Sequence, residues 1–347
     1  MRLLTRNAGK IAFVVLGLFL ALSFKLAWDD SLTFDEVAHI PAGYSYVKEF
    51  DYRLNPEHPP LLKVLAGLPL LALDPKFDTD APFWTGTGTD YPGEYGQWSA
   101  GHYLLDNAAN PDLLIFLARL PLVLVAAAFG WLLFVWGRRL AGAIGGLLAL
   151  ALYAFSPNVL GHAHLVTTDV GIAAAMTAAF FFFINFLKRP SWRNAILAGI
   201  FLGVAQVTKF SAVMLYPIFG VLALLYPLFV RYANKRVSGL GRLSIIAQYL
   251  RSFCALIISL AVIWVVYAPW TVTMPENVLE TLAISKIPDT TSVRDSAFRS
   301  FILGANQNAL TRPLAMYAQG LIQVFHRVEG GNGAYFLGTV SSDANPW

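Results

Sequence analysis

One short stretch of this sequence concentrates acidic and imidazole side chains in a chain that is otherwise apolar. Residues 33–63, TFDEVAHIPAGYSYVKEFDYRLNPEHPPLLK, contain Asp35, Glu36, His39, Glu57 and His58. The stretch follows the first hydrophobic run directly, so these groups should lie at a membrane surface, where ionisable side chains are costly to keep without a use. Carboxylates and imidazoles are also the groups that enzymes use for proton transfer. We therefore expect an active site here.

The first motif in this stretch has a structural and a catalytic interpretation. Thr33-Phe34-Asp35-Glu36 fits a capping box, in which Thr33 is the N-cap and Glu36 reaches back to it, a purely structural role. Asp35 would then occupy the second helical position, where the helix dipole favours a carboxylate. Alternatively, the helix start fixes Asp35 as a base for an incoming hydroxyl group. The residues alone leave both interpretations open.

Two further groups follow in the same stretch. His39 lies four residues after Asp35 and so shares its helix face, within reach of a hydrogen bond or a shared metal ion, although a half-buried interfacial histidine is the simpler alternative. In Asn55-Pro-Glu-His-Pro-Pro60, the prolines hold Glu57 and His58 extended, so their side chains point to opposite faces. Either one of them faces the same cavity as Asp35, or the motif is a rigid turn that introduces the next helix.

A second candidate set lies later in the chain. Asp169 ends the segment GHAHLVTTD, where it is either a site carboxylate or simply the start of a helix that Thr167 or Thr168 caps. Lys209 stands in Val-Thr-Lys-Phe-Ser, where a lysine commonly extends into lipid headgroups, although phosphate binding is the functional alternative. Near the end of the chain, we expect residues 326–329, with Arg327, to form an ordinary polar loop.

The composition identifies the class of protein. Of 347 residues, 56% are hydrophobic and 13% are charged, and the mean hydropathy is +0.56, which is typical of an all-α polytopic membrane protein. The net charge is only +4, and the basic residues lie in short clusters between apolar runs. This pattern indicates membrane topology and gives no support to nucleic-acid binding. A single cysteine, Cys254, excludes an internal disulfide.

The apolar runs predict seven spans. The first, at about 11–28, follows three basic residues and no small-x-small cleavage site precedes its end, so we expect an uncleaved anchor. The remaining spans are expected at about 112–136, 140–160, 170–187, 194–208, 211–230 and 252–270. Residues 29–111 would form a long outer loop. Its apolar part at 59–73 is too short to span comfortably, and is expected to be an interfacial helix.

The basic residues set the expected orientation. Arg138-Arg139 and Lys188-Arg189 fall on alternate connections, which the positive-inside rule assigns to the cytoplasm. A break near Lys209 keeps the later basic connection, with Lys235 and Arg236, on that side as well. Residues 271–347 would form an outer segment. Because the chain stops at Trp347 without a closing span, we expect a C-terminally truncated fragment, with a C-terminus on the outer side as the alternative.

Together these residues resemble the GT-C glycosyltransferases. The resemblance consists of the Asp-Glu pair after the first span, the outer Asn-Pro-Glu-His-Pro-Pro motif before an interfacial helix, an outer Asp at the fourth span and a Thr-Lys turn. Within that superfamily the chain is similar to protein O-mannosyltransferases and lipid A aminoarabinose transferases. The resemblance implies a GT-C-type helix bundle in a bacterial-type plasma (inner) membrane, with the site on the outer, periplasmic face. It also implies a polyprenyl-phosphate sugar donor and a protein or lipid acceptor.

The resemblance also implies roles for individual residues. Asp35 would be the general base and Glu36 its partner, and Asp169 would be the second outer acid. Lys209 would bind the donor phosphate, and His58 occupies a position where members of the branch place a phosphate-binding cation, so its histidine departs from the pattern. Glu57, together with His39, would bind a divalent metal ion. The metal, the sugar and the acceptor are not fixed by the sequence.

A multi-span transporter or flippase of lipid-linked or anionic substrates is the alternative function. Its acids should lie near the middle of spans. Here, each acid singled out falls in an outer loop or at a helix end, which favours the transferase. An inactive or assembly-only membrane protein is the third interpretation.

Overall fold

The computed structural model describes residues 5–87, 96–233, 242–286, 293–329, 334–336 and 339–341. Lys235, Arg236 and Trp347, which entered the topology and truncation predictions, lie outside these ranges. The helices are α1 Ala8–Asp29, α2 Phe34–Glu49, α3 Leu61–Gly67, α4 Pro82–Thr85, α5 Gln97–Asp106, α6 Pro111–Ala154, α7 Pro157–Ala163, α8 Asp169–Lys188, α9 Trp192–Gln206, α10 Leu215–Ala233, α11 Arg242–Thr271, α12 Glu276–Lys286, α13 Val293–Asn306 and α14 Arg312–Glu329. Short 3-10 turns occupy Leu68–Ala72 and Phe210–Met214, and a hairpin pairs β1 Ala334–Phe336 with β2 Thr339–Ser341.

Five helical stretches in the described ranges are long and apolar enough to cross a membrane. They are Ala8–Asp29, Pro111–Ala154, Asp169–Lys188, Phe210–Val230 and Ile245–Thr271. This confirms the predicted fold class, an all-α polytopic membrane protein.

The longest helix, α6, folds back on itself. Ala141 and Gly142 leave helical geometry, and Gly142 has φ of 71°, a conformation that a side chain would strain. The two arms then run antiparallel, because the hydroxyl of Tyr153 on the second arm donates to the carbonyl of Ala126 on the first at 2.8 Å. α6 therefore has the length and the break needed for two spans.

Helix α9 has only 15 residues, yet with the turn that follows it runs the whole length of α8. Near one end, Asn194 Nδ2 donates to the carbonyl of Arg189, just beyond α8, at 2.7 Å. At the other end, Lys209 contacts Asp169, the first residue of α8. Glycines bring α9 against α11, since a Cβ on Gly199 would lie 2.5 Å from the carbonyl oxygen of Ala255.

The outer loop packs through backbone contacts. A Cβ on Gly43 of α2 would lie 2.0 Å from the carbonyl oxygen of Lys63, and a Cβ on Gly67 would lie 2.2 Å from that of Gly43. On the other side of α2, a Cβ on Gly101 of α5 would lie 2.0 Å from the carbonyl oxygen of Val37. Glycine at these positions allows α3 and α5 to approach α2 at backbone distance, which fixes the segment that carries the candidate residues.

The C-terminal helices return to this outer loop. Thr273, just after α11, donates to the carbonyl of Phe50 at 3.3 Å. On α14, Gly320 faces the carbonyl oxygen of Pro56 and the ring of Phe210. The prediction of an ordinary loop at residues 326–329 is wrong, because these residues form the last turn of α14. The packing of α14 brings that turn to the outer loop.

Candidate active site

A buried ion pair fixes the start of α2. Arg119, from the first arm of α6, and Glu36 both have fully buried side chains, and they form two hydrogen bonds, Nε to Oε1 at 2.9 Å and Nη2 to Oε2 at 2.7 Å. The remaining guanidinium hydrogens go to the carbonyls of Ala27, Asp30 and Ser31. All five donors of Arg119 are thereby used, and α1, α2 and α6 are joined at one point.

The carboxylate of Glu36 is saturated. Besides Arg119, it accepts the backbone N–H and the hydroxyl of Thr33, both at 2.9 Å, and the backbone N–H of Val166 at 3.0 Å. The Thr33 N–H contact is the Glu half of the predicted capping box. Burial alone would raise the pKa of Glu36, but Arg119 and these amides outweigh it and hold the pKa below its ordinary value. A group held in this way suits positioning rather than proton transfer.

Asp35 has the opposite environment. It is the second residue of α2 and is exposed, and within the described ranges its carboxylate has no hydrogen-bond partner and no ion pair. Its negative charge partly opposes the lowering of the pKa of His39, which lies one turn further along the same helix. Because Glu36 is anchored beside it, Asp35 is held at a fixed point of the surface while its carboxylate stays accessible. This is the arrangement that a general base requires.

Two imidazoles meet behind Asp35. The rings of His39 and His58 are 5.0 Å apart, edge to face, and His39 Nδ1 lies 2.8 Å from the carbonyl oxygen of Val166. Since that oxygen only accepts, Nδ1 carries the proton, and a neutral His39 keeps Nε2 as an acceptor. Burial and then the charge of Lys63 lower the pKa of His39. Burial, followed by the neighbouring His39 and the surrounding cations, lowers the pKa of His58 to about 2. Both rings are therefore neutral at pH 7, and His58 supplies no positive charge.

A buried lysine holds the loop before α3. Lys63 is 1% exposed, and its Nζ donates to Asn55 O at 2.7 Å, to Asn55 Oδ1 and His58 O at 2.8 Å, and to the hydroxyl of Tyr46 at 3.0 Å. Asn55 has φ of 55°, a left-handed conformation that asparagine tolerates better than most residues. Burial lowers the pKa of Lys63, but a surrounding made of oxygen acceptors favours the ammonium form. Lys63 thus fixes the positions of Glu57 and His58.

Glu57 joins the loop to the last turn of α14. Its Oε2 accepts from Arg327 Nη1 at 3.1 Å, and its Oε1 accepts from the side-chain amide of Gln97 at 3.1 Å. Arg327 and Lys209 are both close enough to His58 for their charges to lower its pKa. The loop, α5 and α14 therefore meet at this carboxylate.

The second candidate set lies beside the first. Asp169 begins α8, and its Oδ1 accepts from Lys209 Nζ at 2.8 Å. The charge of Lys209 is close enough to His58 to lower its pKa. The Asp169–Lys209 pair therefore belongs to the same region as His39, His58 and Glu57. Asp35 is connected to this region through His39.

The metal prediction is not supported by a ligand set. No group of three or more His, Cys, Asp and Glu side chains that could hold a metal ion occurs in the ranges that the structure describes. Glu57 is engaged by Arg327 and Gln97, and His39 by Val166. These residues do not fit a metal centre, because their donor atoms are engaged by other groups of the protein.

Sequence reasoning did not identify three residues of this region. Arg119 interrupts an apolar span, where a charged side chain nearly always pairs with another group, and this signal would have revealed it. Lys63 received no predicted role, and Arg327 was assigned to a loop. No local pattern marks the contact between Arg327 and Glu57, because 270 positions separate them.

Part of the chain is similar to a known protein family. Residues 113–264 match the family model described as dolichyl-phosphate-mannose-protein mannosyltransferase. The match covers less than half of the 347 residues and includes Arg119, Asp169 and Lys209, but not the outer loop. It supports the GT-C resemblance and a membrane glycosyltransferase that uses a lipid-linked sugar donor. A search of curated proteins found no match.

Proposed function

We propose that this protein transfers a sugar from a polyprenyl-phosphate carrier to a protein or lipid acceptor, at the membrane face that carries Asp35 and Asp169. The proposal adopts the outer, non-cytoplasmic face predicted from the basic clusters. One observation carries it: the exposed carboxylate of Asp35, which has no cation partner in the described ranges, is linked through His39 and His58 to two cations. Asp35 interacts electrostatically with His39, whose ring packs against His58. The charges of Lys209 and Arg327 in turn lower the pKa of His58. A base and positive charge are what this reaction needs from the protein.

The reaction is a single displacement at the anomeric carbon. The acceptor hydroxyl or amine attacks this carbon while its bond to the phosphate oxygen breaks, so the configuration inverts. Asp35 takes the proton that the acceptor loses, and the bonding electron pair leaves with the polyprenyl phosphate. Because the carrier phosphate is already a good leaving group, the enzyme mainly supplies the base and stabilises the developing charge.

Lys209 and Arg327 are the groups that can bind the phosphate. Each forms an ion pair with an acid, Asp169 and Glu57 respectively, and in each pair at least one side chain is more than half exposed. Exposed ion pairs contribute only about 0–1 kcal/mol, so a phosphate can displace a carboxylate from either cation at little cost. His58 is neutral, and we assign it a hydrogen-bonding role at most.

A groove in the membrane-facing surface is suited to the carrier's isoprenoid tail. A cavity of about 530 Å³ lies between α8, α9, α10 and α11, and its lining includes Phe183, Tyr216, Phe219 and Phe253. Tyr216 lies soon after Lys209 in the chain, while Phe253 is exposed towards lipid. In this proposal the tail lies in the groove, and the phosphate binds Lys209, which follows the helix α9 that contributes Ala198 and Leu202 to the groove.

The test compares Asp35→Asn with wild type in lipid, using labelled polyprenyl-phosphate sugars and measuring turnover and donor binding separately. General bases contribute about 10²–10⁴-fold, so we expect turnover near background with donor binding retained. Asp112→Asn removes an exposed acid from the first turn of α6 and should leave turnover unchanged. Wild-type turnover in Asp35→Asn would exclude Asp35 as the base.

A further inference from the structure

A second polar pocket lies on the membrane face opposite the candidate active site. Helix α8 begins at that site with Asp169 and has 20 residues, which rise about 30 Å, the thickness of a bilayer's hydrocarbon core. Its C-terminal end therefore lies at the headgroup level of the other leaflet. There, a pocket of about 520 Å³ is lined by Arg139, Lys188, Arg189 and Arg193.

The charge of this pocket is uncompensated. Its four cations come from the break in α6, the end of α8 and the start of α9, and none of the lining residues is acidic. None of the four forms an ion pair with a carboxylate in the described part of the chain. Basic residues that serve only as a topology signal have no need to line one concave site, whereas converging cations attract an anion.

Local contacts fix the positions of residues that line the pocket. Asn194 donates to the carbonyl of Arg189 at 2.7 Å, and Ser191 caps α9 by accepting from the N–H of Asn194 at 3.3 Å. The guanidinium of Arg139 lies 4.8 Å from the centre of the Phe181 ring, which limits its freedom. Two large apolar side chains nearby, Leu140 and Trp192, are 72% and 49% exposed, as expected for residues that contact lipid.

We propose that this pocket binds the phosphate headgroup of an anionic phospholipid from the leaflet opposite the active site. Guanidinium groups match phosphate oxygens in charge and in hydrogen-bond geometry, and basic pockets between spans bind such headgroups. Free inorganic phosphate has the same charge chemistry, but the position of the pocket at the headgroup level favours a lipid. This site is separate from the proposed transferase reaction, and its test does not use turnover.

The test measures the thermal unfolding midpoint of the full chain in neutral detergent. Three probes are titrated: short-chain phosphatidylglycerol, short-chain phosphatidylcholine and inorganic phosphate. The pocket variant is Arg139→Gln with Arg193→Gln. The control, Arg138→Gln with Lys10→Gln, removes two exposed cations from the same membrane face outside the pocket lining.

We expect a saturable stabilisation by phosphatidylglycerol only. The pocket variant should need about tenfold more of this lipid, or more, for half of the effect, and the control should behave as wild type. Equal loss in the control would show general charge attraction and overturn the proposal, and so would an equal effect of phosphatidylcholine. An equal effect of inorganic phosphate would replace the lipid by a free anion. Should the pocket variant fail to fold, native mass spectrometry of wild type decides, because retention of phosphatidylglycerol must exceed that of phosphatidylcholine.

Discussion

Lys209 donates a hydrogen bond from Nζ to Oδ1 of Asp169 at 2.8 Å, which joins the start of α8 to the turn before α10. The side chain of Asp169 is 60% exposed and that of Lys209 is 34% exposed. A pair this open to solvent contributes little to stability, so it is available for exchange with a ligand. The contact therefore couples two residues whose roles the sequence resemblance implies independently. Asp169 would be a second acid, and Lys209 would be a phosphate-binding cation.

Neutralising the two partners should have opposite effects on donor binding. Lys209→Gln removes a charge that contacts the phosphate, so we expect the Kd for a polyprenyl-phosphate sugar to rise about tenfold or more, since a hydrogen bond to a charged group contributes about 1.5–3 kcal/mol. Asp169→Asn frees Lys209 from its competitor and should leave the Kd unchanged or lower it. Equilibrium binding of labelled donor at constant ionic strength measures both.

The control for this pair is Lys76→Gln, which removes an exposed cation from the outer loop at residues 29–111 and should not change the Kd. Weakened binding in Asp169→Asn as strong as in Lys209→Gln would show that the acid itself contacts the donor. In that case the proposal that the donor phosphate displaces the Asp169 carboxylate from Lys209 would be wrong.

The Glu36–Arg119 pair leads to a prediction about stability rather than turnover. Glu36→Gln leaves the buried guanidinium of Arg119 without its counter-charge, and breaking a buried pair in this way costs about 3–5 kcal/mol. We expect a corresponding loss in the free energy of unfolding, measured by denaturant titration in detergent. Asp35→Asn, at the neighbouring exposed position, should change this free energy by less than about 0.5 kcal/mol. A stable Glu36→Gln protein without turnover would instead make Glu36 a catalytic group.

Local patterns sufficed for some of these features. The capping box at Thr33–Glu36 needs only four consecutive residues, and the basic clusters at Arg138-Arg139 and Lys188-Arg189 need only the order of spans. For the same reason, Asp169 and Lys209 could be assigned to one membrane face: an even number of spans separates them from the first outer loop or from each other. The confirmed helical membrane class follows from composition alone.

The connections within the site could not be predicted, because they depend on how helices rotate against one another. Arg119 reaches Glu36 only if one particular face of α6 points towards α2, and apolar runs do not specify that face. The set of oxygen acceptors around Lys63, from Tyr46, Asn55 and His58, requires the left-handed conformation of Asn55. No sequence pattern predicts that conformation. Arg327 reaches Glu57 through the docking of α14, a long-range packing event that the sequence order does not reveal.

The buried hydrogen bonds of Lys63 lead to the third prediction. Lys63→Met keeps the length of the side chain but removes the donor to Asn55 O, Asn55 Oδ1 and His58 O. The His58 carbonyl keeps the hydroxyl of Tyr52 as a donor, whereas Asn55 Oδ1 is left buried without one, and an unsatisfied buried acceptor costs about 1–3 kcal/mol. We expect a lower unfolding free energy and lower turnover together, because the same acceptors belong to the loop that carries Glu57. Denaturant titration and the labelled-donor assay give the two values. Lys76→Met, a surface change on the same loop, should alter neither, and a Lys63→Met protein of wild-type stability would contradict the stabilising role of the Lys63 hydrogen bonds.

The two buried histidines should make stability depend on pH in a defined window. An unfolded histidine binds its proton near pH 6.5, whereas His58 in the folded protein does so only near pH 2, and the pKa of His39 is lowered in the same direction. Below about pH 6.5 the unfolded state therefore holds more protons than the folded state, so stability falls as the pH falls. Each histidine that remains neutral in the folded protein contributes a slope of at most about 1.4 kcal/mol per pH unit.

His58→Asn removes one of these groups and should flatten the dependence between pH 6.5 and pH 5, where Glu36 keeps its charge because its pKa is held low. Thermal unfolding midpoints at half-unit pH intervals measure the slope. His102→Asn changes an exposed histidine of α5 and should leave the slope as in wild type. If His58→Asn loses stability on acidification as steeply as wild type does, His58 is already protonated in the folded protein, and it would then be available as a third cation for the donor phosphate.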